Sequence, residues 1–159
     1  MLLGMQGKRG AIVTRIFRAA WLLAAIALMG TAATAQDKQI VVQILDGNTG
    51  KPLANQHLTV FGGETPDGVL KKKMHFQLVT NKAGLGSITV PASAKWIQVW
   101  ADWKTLCQDN PNGKSFSVDE IVSAGLAAPN SCSALVQKAS AGQFVVFARA
   151  QTLSEKMRQ

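Results

Sequence analysis

Tyrosine is absent from these 159 residues, and histidine and cysteine each occur only twice. Without tyrosine there is no site that holds a metal through a phenolate. Cys107 and Cys132 form no C-x-x-C pair for redox work and no C-x-x-C-H for haem, and two lone thiols do not complete a zinc site. No G-x-S-x-G elbow and no EF-hand spacing occur either. The sequence therefore names no reaction, and no cofactor or metal is expected. Beyond residue 35 no run approaches the roughly 18 uninterrupted apolar residues of a membrane span. Acidic residues are missing before Asp37, and that absence marks off a leader.

Lys8, Arg9, Arg15 and Arg18 precede the apolar run "AAWLLAAIALMG" and the small-residue segment "TAATAQ". A basic region, an apolar region and an A-x-A site make residues 1–35 a signal peptide, with cleavage expected between Ala35 and Gln36. The competing reading is an uncleaved anchor, because the stretch from Ala19 to Ala35 reaches the lower edge of a bilayer span. Threonines and small residues in its last third favour processing. The mature protein is then exported, to the periplasm or the extracellular space, with no stable transmembrane span. Four of the 17 Lys+Arg leave with the leader while all nine acids stay, so a formal +8 becomes +4. Half of the basic excess is a targeting feature, and nucleic acid is not an expected partner. Residues 36–159 suffice for one domain with a real core and are too few for two.

Apolar residues in that domain repeat with a period of two. Ile40, Val42 and Ile44 share one face, as do Leu58 and Val60, then Met74, Phe76 and Leu78. Ile88 and Val90, Ile97 and Val99, and Phe144, Val146 and Ala148 continue the alternation. Between these segments stand "DGNTGKP", "GGETPDG", "NKAGLG" and "PASA", whose residues tolerate positive φ or fix it near −65°. The pattern predicts an all-β, immunoglobulin-like antiparallel β-sandwich of about seven strands. One segment departs from it. In "FSVDEIVSAGLAAPNSC", Ser117 with Glu120 makes a capping box and Gly125 a stop, predicting a short helix at about 117–126 that docks through Ile121, Val122 and Leu126.

An even pair of exported cysteines reads as a disulfide, Cys107 to Cys132, enclosing that helix. Closing about 25 residues stabilises the fold by roughly 3 kcal/mol in chain entropy. A two-turn helix is marginal alone in water, so the bridge is expected to pin it, and reduction to loosen residues 108–131 before the sheets.

"VVQILDGNTGKPLANQHLTVF", followed by "TNKAGLGSITVP", resembles the carboxypeptidase regulatory-like group of transthyretin-type, or prealbumin-like, domains. The likeness covers about residues 39–101 and rests on a G-x-P-L turn, Gly50 to Leu53, and on a T-D/N-x-x-G turn, Thr80 to Gly84. It implies a prealbumin-like sandwich used as a binding, spacer or stabilising module, in a group often filed under a carbohydrate-binding-like fold. Two enzyme groups on related sandwiches are set aside. The urate-pathway hydrolase ends in Y-R-G-S where this chain ends "SEKMRQ", and intradiol dioxygenases ligate iron through tyrosines, which are absent here.

The glycine-lysine loop at Gly47 to Lys51 lacks the G-x-x-x-x-G-K-[ST] spacing and the following helix of a phosphate-binding loop, so it reads as a strand connection. His57 and His75 fall opposite the inward phase and are expected on the surface. Asp102 and Asp109, with Asn110 and Asn112, read as a polar loop. Lys71, Lys72 and Lys73 are either a solvated turn or a contact for acidic polymer or phospholipid headgroups. With Ile97 and Val99 inward, Trp96 and Trp100 share the outer face of one strand and Trp103 follows it. An aromatic row of this kind stacks on pyranose rings or anchors a protein partner, and the opposing reading buries it under the bridged helix. Two functions remain. The first is an exported, non-enzymatic module of the cell envelope that binds or supports a glycan or protein partner. The second is an exported hydrolase or processing accessory whose site is scattered in sequence.

Overall fold

A computed structural model describes residues 36–109 and 114–157. The leader and its cleavage site before Gln36 lie outside the described residues, as do Asn110 and Asn112. Two sheets are formed. The first contains β1 (Lys38–Asp46), β4 (Leu85–Val90), β6 (Lys104–Leu106), β8 (Leu126–Ala127) and β9 (Gln143–Ala150). The second contains β2 (His57–Gly63), β3 (Met74–Val79), β5 (Trp96–Ala101) and β7 (Phe116–Ser117). The all-β expectation holds, and every alternating segment forms a strand in the predicted phase. Ile40, Val42, Ile44, Leu58, Val60, Leu78, Ile88, Val90, Ile97, Val99, Phe144, Val146 and Ala148 form one core with residues from both sheets.

Strand number and direction depart from expectation. Nine strands, not seven, occur among the described residues, because the segment between β5 and β9 adds three short ones. The first sheet runs β4-β1-β9-β6, and β9 pairs parallel with β1 and with β8. Parallel pairing needs a long connection, and β1 and β9 are separated by every other strand of the fold. β8 and β6 bond different stretches of the same β9 edge, at Phe144–Val145 and Ala148–Ala150.

The two turns that carry the family resemblance bond one another. The Leu53 amide donates to the Ile44 carbonyl at 3.0 Å, and the Ile44 amide donates to the Gly84 carbonyl at 2.8 Å. Buried Thr80 donates through its hydroxyl to the Leu53 carbonyl at 2.8 Å and accepts from the Gln56 amide at 2.9 Å. Gly84 has φ 70°, and a Cβ there would stand 2.5 Å from the Ile44 carbonyl oxygen. This G-K-P-L and T-N-x-x-G pair is therefore one hydrogen-bonded joint at the crossings between sheets. In the preceding loop Asp46 accepts from the Asn48 and Thr49 amides and the Thr49 hydroxyl. Burial works against its ionisation, but those donors and Lys104 outweigh it and hold the carboxyl below its ordinary range.

Three short helices complete the described fold: α1 (Pro66–Leu70), α2 (Val118–Ala124) and α3 (Leu153–Lys156). The predicted helix is α2, capped by Ser117, which accepts from the Glu120 amide, and ended by Gly125 at φ 79°. Val118 and Ile121 enter the main core, and Val122 and Leu126 pack against it as expected. Lys38 of β1 pairs with Asp119 at its start. α1 arises where the sequence suggested only a turn. Thr65 accepts from the Gly68 amide at 3.0 Å and Pro66 opens the helix, the usual cap and first-position residues. Among the described residues no helix is long and apolar enough to cross a membrane.

Candidate binding face

The outward positions of the two sheets have opposite fates. On the first sheet Leu45, Val145 and Phe147 point away from the main core, yet they are buried in a second cluster with Cys107, against which Ala127, Cys132 and Ala139 pack. The cover is the strap 128–142. Cys107 and Cys132 form the expected disulfide, with Cα atoms 5.3 Å apart. Beside it Asn130 and Ser133 both donate to the Gly47 carbonyl, at 2.8 and 2.6 Å. A Cβ on Gly47 would lie 2.4 Å from the Cys107 Sγ, so glycine here makes room for the bridge. The bridge thus lies against the strap, and the loop that it closes contains α2 as expected. α2 is held by its own core residues, on the other side of the sheet.

On the second sheet, in the order β3-β2-β5-β7, the outward phase is buried at Gln98 and half-exposed at Trp100. Pairing places Trp100 opposite Thr59 and Thr59 opposite Gln77, and the neighbouring row is Gln98, Phe61 and His75. Trp100 is 46% exposed and meets the Phe61 ring edge-on, with centroids 6.3 Å apart. Lys72 lies over both rings, its Nζ 4.3 Å from the Trp100 centroid and 5.1 Å from that of Phe61. Helix α1 closes one end of this face: a Cβ on Gly63 would stand 2.6 Å from the Val69 amide nitrogen, and Val69 is fully buried. Lys72 follows the C-cap of α1 with φ 52°, where glycine or asparagine is the usual occupant. A lysine in that conformation costs about 1–2 kcal/mol, and its contact with two aromatic rings returns about 0.5–1 kcal/mol.

Trp96 and Trp100 keep the predicted outward phase of β5, with buried Gln98 between them, and Trp103 lies beyond the strand. Trp100 belongs to the open face. Trp96 is partly buried and walls an open groove of about 470 Å³ with Phe116, Glu120 and Leu126, so the insertion does reach this indole. Trp103 stands at the crossing to β6, 79% exposed and with φ 59°. Phe61 was not singled out from sequence, and Lys72 was weighed only as one of the cluster Lys71, Lys72 and Lys73. Phe61 was legible, being the aromatic residue that alternates with Leu58 and Val60, whereas the reach of Lys72 across the face depends on α1.

His57 and His75 are both exposed on this sheet, with Val79 and Phe61 as register partners. Among the described residues no hydrogen bond joins either imidazole to a serine or an acid, and no cluster of three His, Cys, Asp or Glu is placed to hold a metal ion. Lys71, Lys72 and Lys73 are exposed. No family model matches the chain, and no curated protein matches it in sequence.

Proposed function

We propose that this protein is an exported, non-enzymatic binding module of the cell envelope, an immunoglobulin-like or prealbumin-like sandwich of the carboxypeptidase regulatory-like kind. Its ligand is a glycan strand laid on the open face of the second sheet. One observation carries this reading. Trp100 is a half-exposed indole near the end of β5, held edge-on to Phe61, and its cross-strand row continues through Thr59 and then Gln77. A flat aromatic platform with hydroxyl and amide groups beside it matches a pyranose, which offers apolar C–H groups on its faces and hydroxyls round its rim. The disulfide supports export, since such bonds persist in oxidising compartments.

Iodide quenching of tryptophan emission, on protein expressed with its own leader, tests the reading. A soluble polysaccharide should protect part of the wild-type emission, and Trp100→Phe should remove that protection. Wild-type quenching left unchanged by acidic and neutral polysaccharides alike would end the glycan reading.

A further inference from the structure

We infer that the ligand is an acidic polysaccharide of the uronate class, and that Lys72 is a movable cap which its carboxylate draws off the aromatic pair. This rests on the glycan reading above and adds the charge of the sugar. The Lys72 ammonium occupies the ring faces that a stacked sugar needs, 4.3 Å from the Trp100 centroid and 5.1 Å from that of Phe61. A neutral sugar must displace that cation and offers it only uncharged hydroxyl oxygens. A uronate supplies a carboxylate for the ammonium and an apolar ring face for the vacated indole.

The surrounding charges are balanced, so the charge that selects an acidic sugar is the one on the rings, Lys72. Lys71 and Lys73 flank Lys72 and are exposed, while Glu64 and Asp67 on the same connection and Asp102 after β5 are the nearby carboxylates in the sequence. From Glu64 to His75 three ammonium groups stand against two carboxylates, and one of the three lies on the rings themselves. The backbone points the same way. Lysine holds a left-handed position that suits glycine, so its side chain is what this site keeps. A membrane surface fits less well, because the row that starts at Trp100 continues across the sheet through the polar Thr59 and then Gln77 and not through apolar side chains.

The test is titration of the full protein, followed by tryptophan emission and calorimetry, with polygalacturonate and with its methyl ester. The two polymers share a backbone and differ in charge. Polygalacturonate should bind about tenfold tighter than the ester and lose affinity as salt is raised. Trp100→Ala should abolish the emission response. Lys72→Gly should lower affinity about fivefold, the size of an exposed ion pair, with melting temperature close to wild type. Lys72→Asn serves as the second variant if the glycine form is unstable. Equal binding of acid and ester would overturn the charge inference and leave the glycan reading standing. No response to either polymer would overturn both. An equal loss from Lys71→Ala or Lys73→Ala would overturn the role of the cap. Binding to phosphatidylglycerol vesicles without response to the polymers would overturn the inference in favour of a lipid surface.

Discussion

Phe147 and Trp100 are both large aromatic residues on the outward phase of a central strand, yet one is 2% exposed and the other 46%. The difference lies in what the chain does afterwards. Between β8 and β9 it lays a strap over Leu45, Val145 and Phe147 and fastens it with the disulfide and the Gly47 carbonyl. Over Phe61 and Trp100 it places the Lys72 side chain, with α1 closing the end of the face and Gln98 buried beside Phe61. A fastened strap over one aromatic residue and a lysine side chain over the other separate a structural position from one free for contact.

Substitution at the two aromatic positions is the strongest way to break that comparison. Phe147→Ala should cost about 3–5 kcal/mol, as for a fully buried aromatic residue that leaves a cavity. Trp100→Ala should cost about 1 kcal/mol or less, since half of the indole is already in water. Urea unfolding of both variants measures the contrast, and similar losses would show that the faces are equally structural.

Removing the fastening comes next. Reduction, or Cys107→Ala with Cys132→Ala, should cost roughly 3 kcal/mol by loop entropy. The local signature matters more than the total. Amide exchange should rise in the strap 128–142, while α2 and the second sheet keep their protection, because Val118 and Ile121 anchor α2 in the main core. Equal acceleration in 118–124 and 128–142 would return the bridge to the helix. A subtler disturbance is Gly47→Ala, whose methyl would sit 2.4 Å from the Cys107 Sγ. Crowding of that kind costs about 1–3 kcal/mol, so the variant should melt lower in the oxidised form and lose much of the deficit once the cysteines are replaced.

The same contrast explains what the sequence made legible. Six alternating segments announced themselves because a strand with one buried side repeats its apolar residues every second position, and all six took that phase. The helix at Ser117 was legible from its cap and stop. "QFVVFA" carried a second signal, since Val145 and Phe147 are apolar on the opposite phase to Phe144 and Val146, the mark of a strand buried on both sides. The one-face reading passed over it, and with it the strap. Parallel pairing of β1 with β9 had no local signal at all, because it joins segments about a hundred residues apart and no hairpin turn fixes their direction. The open face was half legible. Trp100 was marked as outward, but its separation from Trp96 and the cation above it depend on where α1 and the insertion pack.

The smallest expected effect concerns a region that belongs to neither face. After β9, Thr152 and Glu155 cap α3 reciprocally, and Arg149 grips the Glu155 carboxylate with two bonds, at 2.7 and 2.9 Å. The Arg149 guanidinium first, and then the Thr152 amide, hold Glu155 down to about 2. A carboxylate depressed in the folded state contributes stability that is complete above its unfolded value, near 4.5, and is lost as pH falls towards 2. Leu153 and Met157 are exposed, so no core depends on α3. Acid should therefore release this one turn without disturbing either sheet. Amide shifts of residues 152–156 should move to coil values between about pH 4.5 and 2, while those of β1, β2 and β5 stay in place. Glu155→Gln should give the released shifts already at neutral pH. If the strap or the open face moved in the same titration, α3 would be part of one of them and not a third, independent element.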